Sequence, residues 1–456
     1  MDRRRFLQSL AAAATMPGLG ASSRVAASPG TLRSDPGRII QLPPGFSYNV
    51  VSRRGARMSD GFRVPGLHDG MAAFDDDNGR VRLVCNHECA PWEGHLSAFR
   101  DGVGEVPDAL KARFYDRGED KTPGAGCTTT TIYNPASGKT EGQFLSLAGT
   151  EINCAGGATP WGSWLSCEET FTSAGTGRSS SGVAFTREQD HGYVFEVPSA
   201  FNGLVEPRPL KAMGRFEHEA CAVLNDIVYM TEDRYHSLFY RFLPDTPGDL
   251  AAGGKLQALA IRGNPSVRTH NWSATPDIEP GDKLAVEWID IPDPDPTRNE
   301  IRLLGARKGA ATFARGEGLC VAGDALAFTC TIGGRARLGQ VFLYQPSEFE
   351  GTARENEAPG TLKLFSESAE TSLLRNADNL VEAPWGDLLI CEDTSGHCGL
   401  VGVRPDGSQY HVAFAAYVAS ELAGVCFSPD GETLFVNIQK SGLTLAINGD
   451  WSRLAS

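Results

Sequence analysis

The chain has 456 residues, 41% of them hydrophobic, with 52 glycines, 27 prolines and a formal net charge of −14. That composition fits a turn-rich protein with a large core and excludes collagen-like or disordered sequence. The acidic balance disfavours nucleic acid as a partner.

The chain opens on Arg3-Arg4-Arg5-Phe6-Leu7, followed by an apolar stretch at 10–14 and small residues up to Ala27. This pattern reads as a twin-arginine signal peptide over residues 1–27. The twin-arginine translocation machinery, which carries folded proteins, is the expected partner, and the expected location is periplasmic or secreted. The apolar part is too short to span a bilayer and no later stretch is long enough, so no stable membrane insertion is expected. Removing four arginines against one aspartate would take the charge from −14 to −17. Residues 28–456 are expected to form one domain, acting as a monomer.

Beyond Leu42-Pro43-Pro44-Gly45-Phe46, an opening strand at 48–51 is placed to help close a ring. Strands at 71–74 and 81–84 flank an Asx- and glycine-rich turn at 75–79, a hairpin signal. The same turn chemistry recurs at 160–162, 224–226, 322–324, 384–387 and 428–431. Each hairpin begins and ends on polar clusters, as from His68-Asp69-Gly70 to Cys85-Asn86-His87-Glu88, roughly 13 to 19 residues apart. Six such copies predict an all-β, six-bladed β-propeller, because strands that cannot bury an apolar face alone can do so when stacked radially. Long insertions at 90–121, 170–190, 244–311 and 346–373 would carry outer strands and loops that cap one face. The Pro/Asp run at 290–296 reads as an extended spacer, and helices should be few and peripheral.

The polar ends of the hairpins would meet on the axis, where crowded carboxylates repel one another, lose water and need cations to stay ionised. A metal centre on the axis is therefore expected. The 11 cysteines lack the paired spacing of a structural zinc site. Cys167, Cys330, Cys391 and Cys426 fall inside apolar strand patterns and read as small buried hydrophobes. Pairing of Cys391 with Cys398, or of Cys85 with Cys89, stays open. Cys154 differs, lying in the turn Asn153-Cys154-Ala155-Gly156-Gly157, where the backbone can approach a ligand closely and a thiolate could bind a metal.

Glu219 and Glu317 each begin an inner strand and are natural partners of Cys154 in a transition-metal site. Glu88, Glu168, Glu169, Glu232, Asp233, Asp378, Asn379 and Glu421 would supply oxygen ligands to calcium, although each alone also reads as a solvated turn cap. Arg315, two residues before Glu317, would share a strand face with it and either orient a phosphate or carboxylate or balance nearby acids. Arg234, directly after Glu232-Asp233, carries the same two readings as a substrate-binding group. His87 and His218 are open between ligand, acid/base and structural roles.

The twin-arginine start, Leu42-Pro43-Pro44-Gly45-Phe46, His68-Asp69-Gly70-Met71, Asn86-His87-Glu88 and Asn153-Cys154-Ala155-Gly156-Gly157 with Pro160-Trp161-Gly162 and Cys167-Glu168-Glu169 together resemble the PhoX-type alkaline phosphatases. Gly214-Arg215-Phe216 with His218-Glu219, and Phe427-Ser428-Pro429-Asp430-Gly431 with Val436-Asn437-Ile438-Gln439, extend the resemblance over most of the chain. It implies a six-bladed propeller holding Fe3+ and Ca2+, with Cys154, Glu219 and Glu317 as iron ligands and Arg315 as the contact to substrate phosphate. Asp378, Asn379 and Glu421 would lie in the calcium or shared-metal region. The implied activity is hydrolysis of small phosphate monoesters. Two other readings stay open, a calcium-dependent propeller lactonase or esterase and a metal-stabilised propeller that binds without chemistry. Membership of a fold family does not by itself prove an activity.

Overall fold

The computed structural model describes residues 32–455 apart from 105 and 274; the expected signal peptide at 1–27 lies outside the described residues. Every turn expected from Asx and glycine chemistry closes an antiparallel hairpin. The turn at Asn225 and Asp226 shows why: both residues have positive φ, 52° and 62°, the twist that joins two-residue hairpins.

The first hairpin extends to a four-stranded sheet, His68–Asp76, Arg80–His87, Gly126–Asn134 and Lys139–Thr150. The second is a three-stranded sheet of Asn153–Ala158, Ser163–Glu168 and Val194–Pro198. Ala377–Glu382, Leu388–Glu392, Gly399–Val403 and Gln409–Phe414 form another sheet of four. The last comprises Leu422–Phe427, Leu434–Ile438 and Leu443–Asn448, completed by the opening strand Ser47–Arg53, with Tyr48 opposite Ile447 and Val50 opposite Leu445. The opening strand and the last hairpin thus share one sheet, with Ser47–Arg53 as its outer strand.

One region departs from the expectation of outer strands and capping loops. The insertion at 244–311 contributes Gly254–Ile261 as an outer strand and also Lys283–Asp290, which pairs on one side with Gly254–Ile261 and on the other with Thr361–Glu367. Two four-stranded units, one starting at His218–Leu224 and the other at Gly316–Ala322, are thereby fused into a nine-stranded sheet. Among the described residues the α-helices are Asp108–Lys111 and Ile301–Lys308, both within insertions.

The first strands pack side by side in chain order, His68–Asp76 on Asn153–Ala158, then His218–Leu224, Gly316–Ala322, Ala377–Glu382 and Leu422–Phe427, which returns to His68–Asp76. The arrangement is all-β and propeller-like. Apolar seams hold neighbouring sheets together; Leu389, Leu400 and Val412 meet Val436, Leu445 and Ile447 in one of them. Phe239, Phe328 and Phe342 stack between the two units of the nine-stranded sheet, with Phe239–Phe328 and Phe328–Phe342 ring centroids 4.5 and 5.1 Å apart. Cys167, Cys330, Cys391 and Cys426 are buried as expected, and all 11 cysteines are free, so neither of the pairings left open above is formed. Among the described residues, no helix is long and apolar enough to cross a membrane.

Candidate metal centre

Six inner strands among the described residues share one irregularity. In five of them a paired residue is followed by two residues opposite a single partner before pairing resumes, and in the sixth the same bulge falls one residue later, after Ala423 has paired with Asn437. A bulge bends its strand and re-aims the side chain it carries. The residue at the first bulge position is Asp69, Cys154, Glu219, Glu317 and Asp378 in those five, and the sixth strand has Ala423 at the equivalent place. Alanine there offers no ligand atom; the next residue, Gly424, has φ of +61° and an added Cβ would lie 2.3 Å from the Asp69 carbonyl oxygen, so only glycine fits where the sixth strand meets the first.

A second set of positions follows the partner strands: Glu88, Glu169, Asp233, Thr331, Asp393 and Gln439. Their backbone N–H groups donate to the carbonyls of Leu67, Ile152, Glu217, Arg315, Asn376 and Glu421 at 2.9–3.4 Å, the same bond in all six hairpins. Leu67, Ile152, Arg315 and Asn376 have φ of 43°, 46°, 56° and 50°. Positive φ is costly for branched side chains, and such strain persists where surrounding bonds fix it, as the repeated bond does here.

These two sets converge. Ligand atoms of Asp69, Glu88 and Cys154 lie within 4.8 Å of one another, as do those of Cys154, Glu169 and Glu219, and those of Glu219, Glu317 and Asp378. Cys154 and Glu219 are shared, so the groups form one cluster; Cys154 Sγ is 3.3 Å from Glu219 Oε1. The Gln439 amide donates to Asp69 at 2.9 Å and to Glu88 at 2.7 Å, holding that pair together.

The electrostatics are those of acids short of counter-charge. Burial pushes Asp69 up to about 7 and, with the charge of Asp233, pushes Glu317 up to about 8. Burial and then like charges raise Glu88, Glu169, Glu219, Asp378 and Glu421 well above the carboxylate range. The Cys154 thiol is raised in the same way, by burial and then by Asp69 and Glu219. Glu219 Oε2 is buried without a hydrogen-bond partner. A thiol, several carboxylates and an orphaned carboxylate oxygen fit cations, which would reverse every one of these shifts.

Arg315 adjoins the cluster, with Nη2 2.8 Å from both Asp233 Oδ2 and Glu317 Oε1 and Nη1 3.9 Å from Asp393. It reaches Glu317 as expected, but not through a shared strand face: Arg315 lies before the strand, in the positive-φ turn, and reaches over the bulge. Arg234 is ion-paired to Glu217, which also accepts a bond from Asn299 at 2.6 Å. Arg315, Arg234, Asp233 and Glu169 line a recess of about 400 Å³ together with Phe171 and Tyr235.

Three expected calcium ligands sit elsewhere. Glu168 faces away from Glu169 and accepts from His191 at 2.7 Å and from the backbone of Glu151, Gly192 and Tyr193. Glu232 accepts from Leu238 N–H at 3.1 Å and Tyr240 O–H at 2.9 Å. Asn379, the second bulge residue, ties its strand to the next by accepting from Gly424 N–H at 2.7 Å. For Glu168 and Glu232 alternation along the strand turns the side chain away from its ligand-bearing neighbour, whereas the Asn379 amide donates to Asp378 at 3.0 Å and braces that acid. His87 and His218 are buried, bonded to the carbonyls of Gly66 and Gly214 at 2.9 Å, and held neutral by burial. Sequence reasoning passed over Asp69, Asp393 and Gln439. Aligning the hairpins on the residue before each small bulge residue places Asp69 beside Cys154 and Glu219.

The fold and cluster define a propeller-like protein with a candidate metal centre built from repeated strand bulges. The PhoX alkaline phosphatase family matches residues 28–442, and the chain belongs to that family. Among solved structures it is similar to Pseudomonas fluorescens PhoX in complex with vanadate, a transition state analogue, at 17% identity and a TM-score of 0.68, over 93% of this chain and 98% of that one. It also aligns with virginiamycin B lyase from Staphylococcus aureus, at 11% identity and a TM-score of 0.37 over 88% and 99% of the two chains. A gluconolactonase from Xanthomonas campestris aligns at 13% identity and 0.36 over 90% and 98%. No protein with a curated description matches by sequence.

Proposed function

We propose that the chain is a periplasmic or secreted phosphomonoesterase, a six-bladed propeller that holds Fe3+ and Ca2+ at the bulge cluster and hydrolyses small phosphate esters in the adjoining recess. The observation that carries this reading is that Glu219 joins the group holding Cys154 to the group holding Glu317, beside Arg315. Cys154, Glu219 and Glu317 would hold iron, because a thiolate suits a transition metal. Asp69, Glu88, Glu169, Asp378 and Glu421 offer the hard oxygen donors that suit calcium. When bound, the cations supply Lewis acidity toward the phosphoryl group and a more acidic water.

The chain's own residues supply position and charge. Arg315 presents a fixed, always-protonated fork to the non-bridging oxygens of phosphate, and Asp233 sets the plane of that fork. Gln439 spaces Asp69 and Glu88. Arg234 contributes a second guanidinium at the rim of the recess. Export rests on the Arg3-Arg4-Arg5 start, and a folded, metal-loaded propeller is the kind of cargo that route carries.

The test is hydrolysis of an aryl phosphate by purified protein, with calcium and after chelation, alongside elemental analysis. Activity that requires calcium, in protein that contains iron, supports the reading. Metal-replete protein that turns over no phosphate ester overturns it.

A further inference from the structure

The recess beside Arg315 has a volume of about 400 Å³, larger than a phosphate group alone requires and in the range that takes a small organic ligand, and its mostly polar lining is interrupted by aromatic side chains. Two aromatic rings line it. Tyr235 directly follows Asp233-Arg234 and is 64% exposed, above the exposed Trp92 at 41% and Phe201 at 44%. An exposed ring on a loop end is unremarkable in isolation, but this one is held in place. The Tyr235 carbonyl lies 3.1 Å from His270 Nε2, and its ring meets Trp272 edge-on with centroids 6.5 Å apart. Trp272 is itself fixed by donating from Nε1 to the Ile332 carbonyl at 2.7 Å.

Phe171, the second ring, is held by the Arg215 guanidinium 4.0 Å from its centroid. Arg215 is buried and anchored to the carbonyls of His191 at 3.0 Å and Thr172 at 2.9 Å. The charge of Arg234, which also lines the recess, is already matched by Glu217. The recess therefore offers one guanidinium edge for an anion at Arg315 and preorganised aromatic faces for whatever the anion is attached to.

We propose that Tyr235 and Phe171 are specificity-determining residues that receive a planar aromatic leaving group, so that aromatic phosphate monoesters are favoured over aliphatic ones. The inference rests on the phosphomonoesterase reading. A ring seated against preorganised aromatic side chains gains affinity without paying to order them. The gain should enter through KM, since the leaving group is held in the ground state as well as in the transition state.

The experiment measures kcat and KM of the metal-replete enzyme for phenyl phosphate and for glycerol 2-phosphate, in wild type, Tyr235→Ala and Tyr235→Phe. Comparing the ratio of the two kcat/KM values across variants cancels the intrinsic difference in leaving-group reactivity. Tyr235→Ala should lower the phenyl-to-glycerol ratio about three- to tenfold, mainly through the KM for phenyl phosphate, and Tyr235→Phe should keep the wild-type ratio. An unchanged ratio in Tyr235→Ala overturns the proposal, as does a loss in Tyr235→Phe as large as that in Tyr235→Ala. If wild type hydrolyses neither ester, the phosphomonoesterase reading falls first and takes this inference with it.

Discussion

Asp233 occupies one edge of the Arg315 guanidinium, with Nε 2.8 Å from Oδ1 and Nη2 2.8 Å from Oδ2, while Nη1 is left 3.9 Å from Asp393. Arg315 is thereby held by Asp233 and Glu317, and Nη1, 3.9 Å from Asp393, is its least engaged prong. Phosphate would be met by Nη1 with the guanidinium already oriented, so no side-chain entropy is lost at binding. Lysine supplies one point charge and cannot serve both partners. Arg315→Lys should lower kcat/KM for an aryl phosphate by about 10²–10³, in the range seen when one preorganised donor is removed. A drop of less than about threefold would contradict the assigned contact.

Cys154 sits where two of the three ligand groups meet, which makes it the most informative single atom of the cluster. Burial and surrounding acids favour its protonated form, and only a bound cation would turn the balance toward thiolate. Cys154→Ala should reduce bound iron and turnover together and leave most of the calcium, because oxygen-only groups remain at Glu219, Glu317 and Asp378. Elemental analysis of wild type and variant, prepared identically, reads this directly. Iron retained at the wild-type level would remove Cys154 from the ligand set.

The hairpins were legible because Asx and glycine turns have local chemistry, as at Asn225-Asp226, and because polar clusters recur at one hairpin's spacing. Cys154, Glu219 and Glu317 were legible for the same reason. The bulges were not: in inner strands this short, one extra residue shifts the alternation over too few positions to be read, and Glu317-Gly318 reads as ordinary strand. Without the bulge Asp69 looks like a turn residue. Glu168 and Glu169 look equivalent until the end of the strand at Glu168 is known, and Arg315 appears to share a strand face with Glu317 until the strand is seen to start at Gly316. The fusion through Lys283–Asp290 was hidden for a different reason, namely that its two partners lie in segments read as separate units.

His191 lies behind the cluster, fully buried between Glu168 at 2.7 Å and Asp116 at 3.3 Å. Burial alone would lower its pKa, but the charges of Glu168 and Glu151 and the hydrogen bond to Asp116 outweigh it and push the value up to about 10. The unfolded value is near 6.5, so the stabilising contribution is fully present below about pH 6.5 and is lost as pH rises through about 10. Wild-type Tm should therefore fall across that window. His191→Gln should flatten the fall and, by leaving buried acids unpaired, lower stability at pH 7 by about 3–5 kcal/mol. Thermal melts of both proteins at several pH values check it; parallel curves would show that His191 does not carry the dependence.

Gly157 ties the fold to the site. An added Cβ would lie 2.0 Å from the carbonyl oxygen of Cys221 on the adjacent inner strand, and backbone cannot swing aside as a flexible side chain can. Gly157 is not among the positive-φ glycines, so alanine is conformationally acceptable and the clash is the whole effect. Cys221 resumes pairing directly after the bulge that carries Glu219, so pushing that strand away displaces a candidate ligand. Gly157→Ala should destabilise the protein by about 1–3 kcal/mol, as other overpacked sites do, and lower Tm by several degrees. It should also weaken metal retention. Gly162→Ala is the control, since it lies on the turn of the same hairpin with nothing within 4 Å of its Cβ, though its φ of +84° carries its own strain. If both variants lose stability but only Gly157→Ala loses metal, the spacing of the inner strands sets the geometry of the cluster. Equal metal retention in the two would separate the cluster from the packing of the ring.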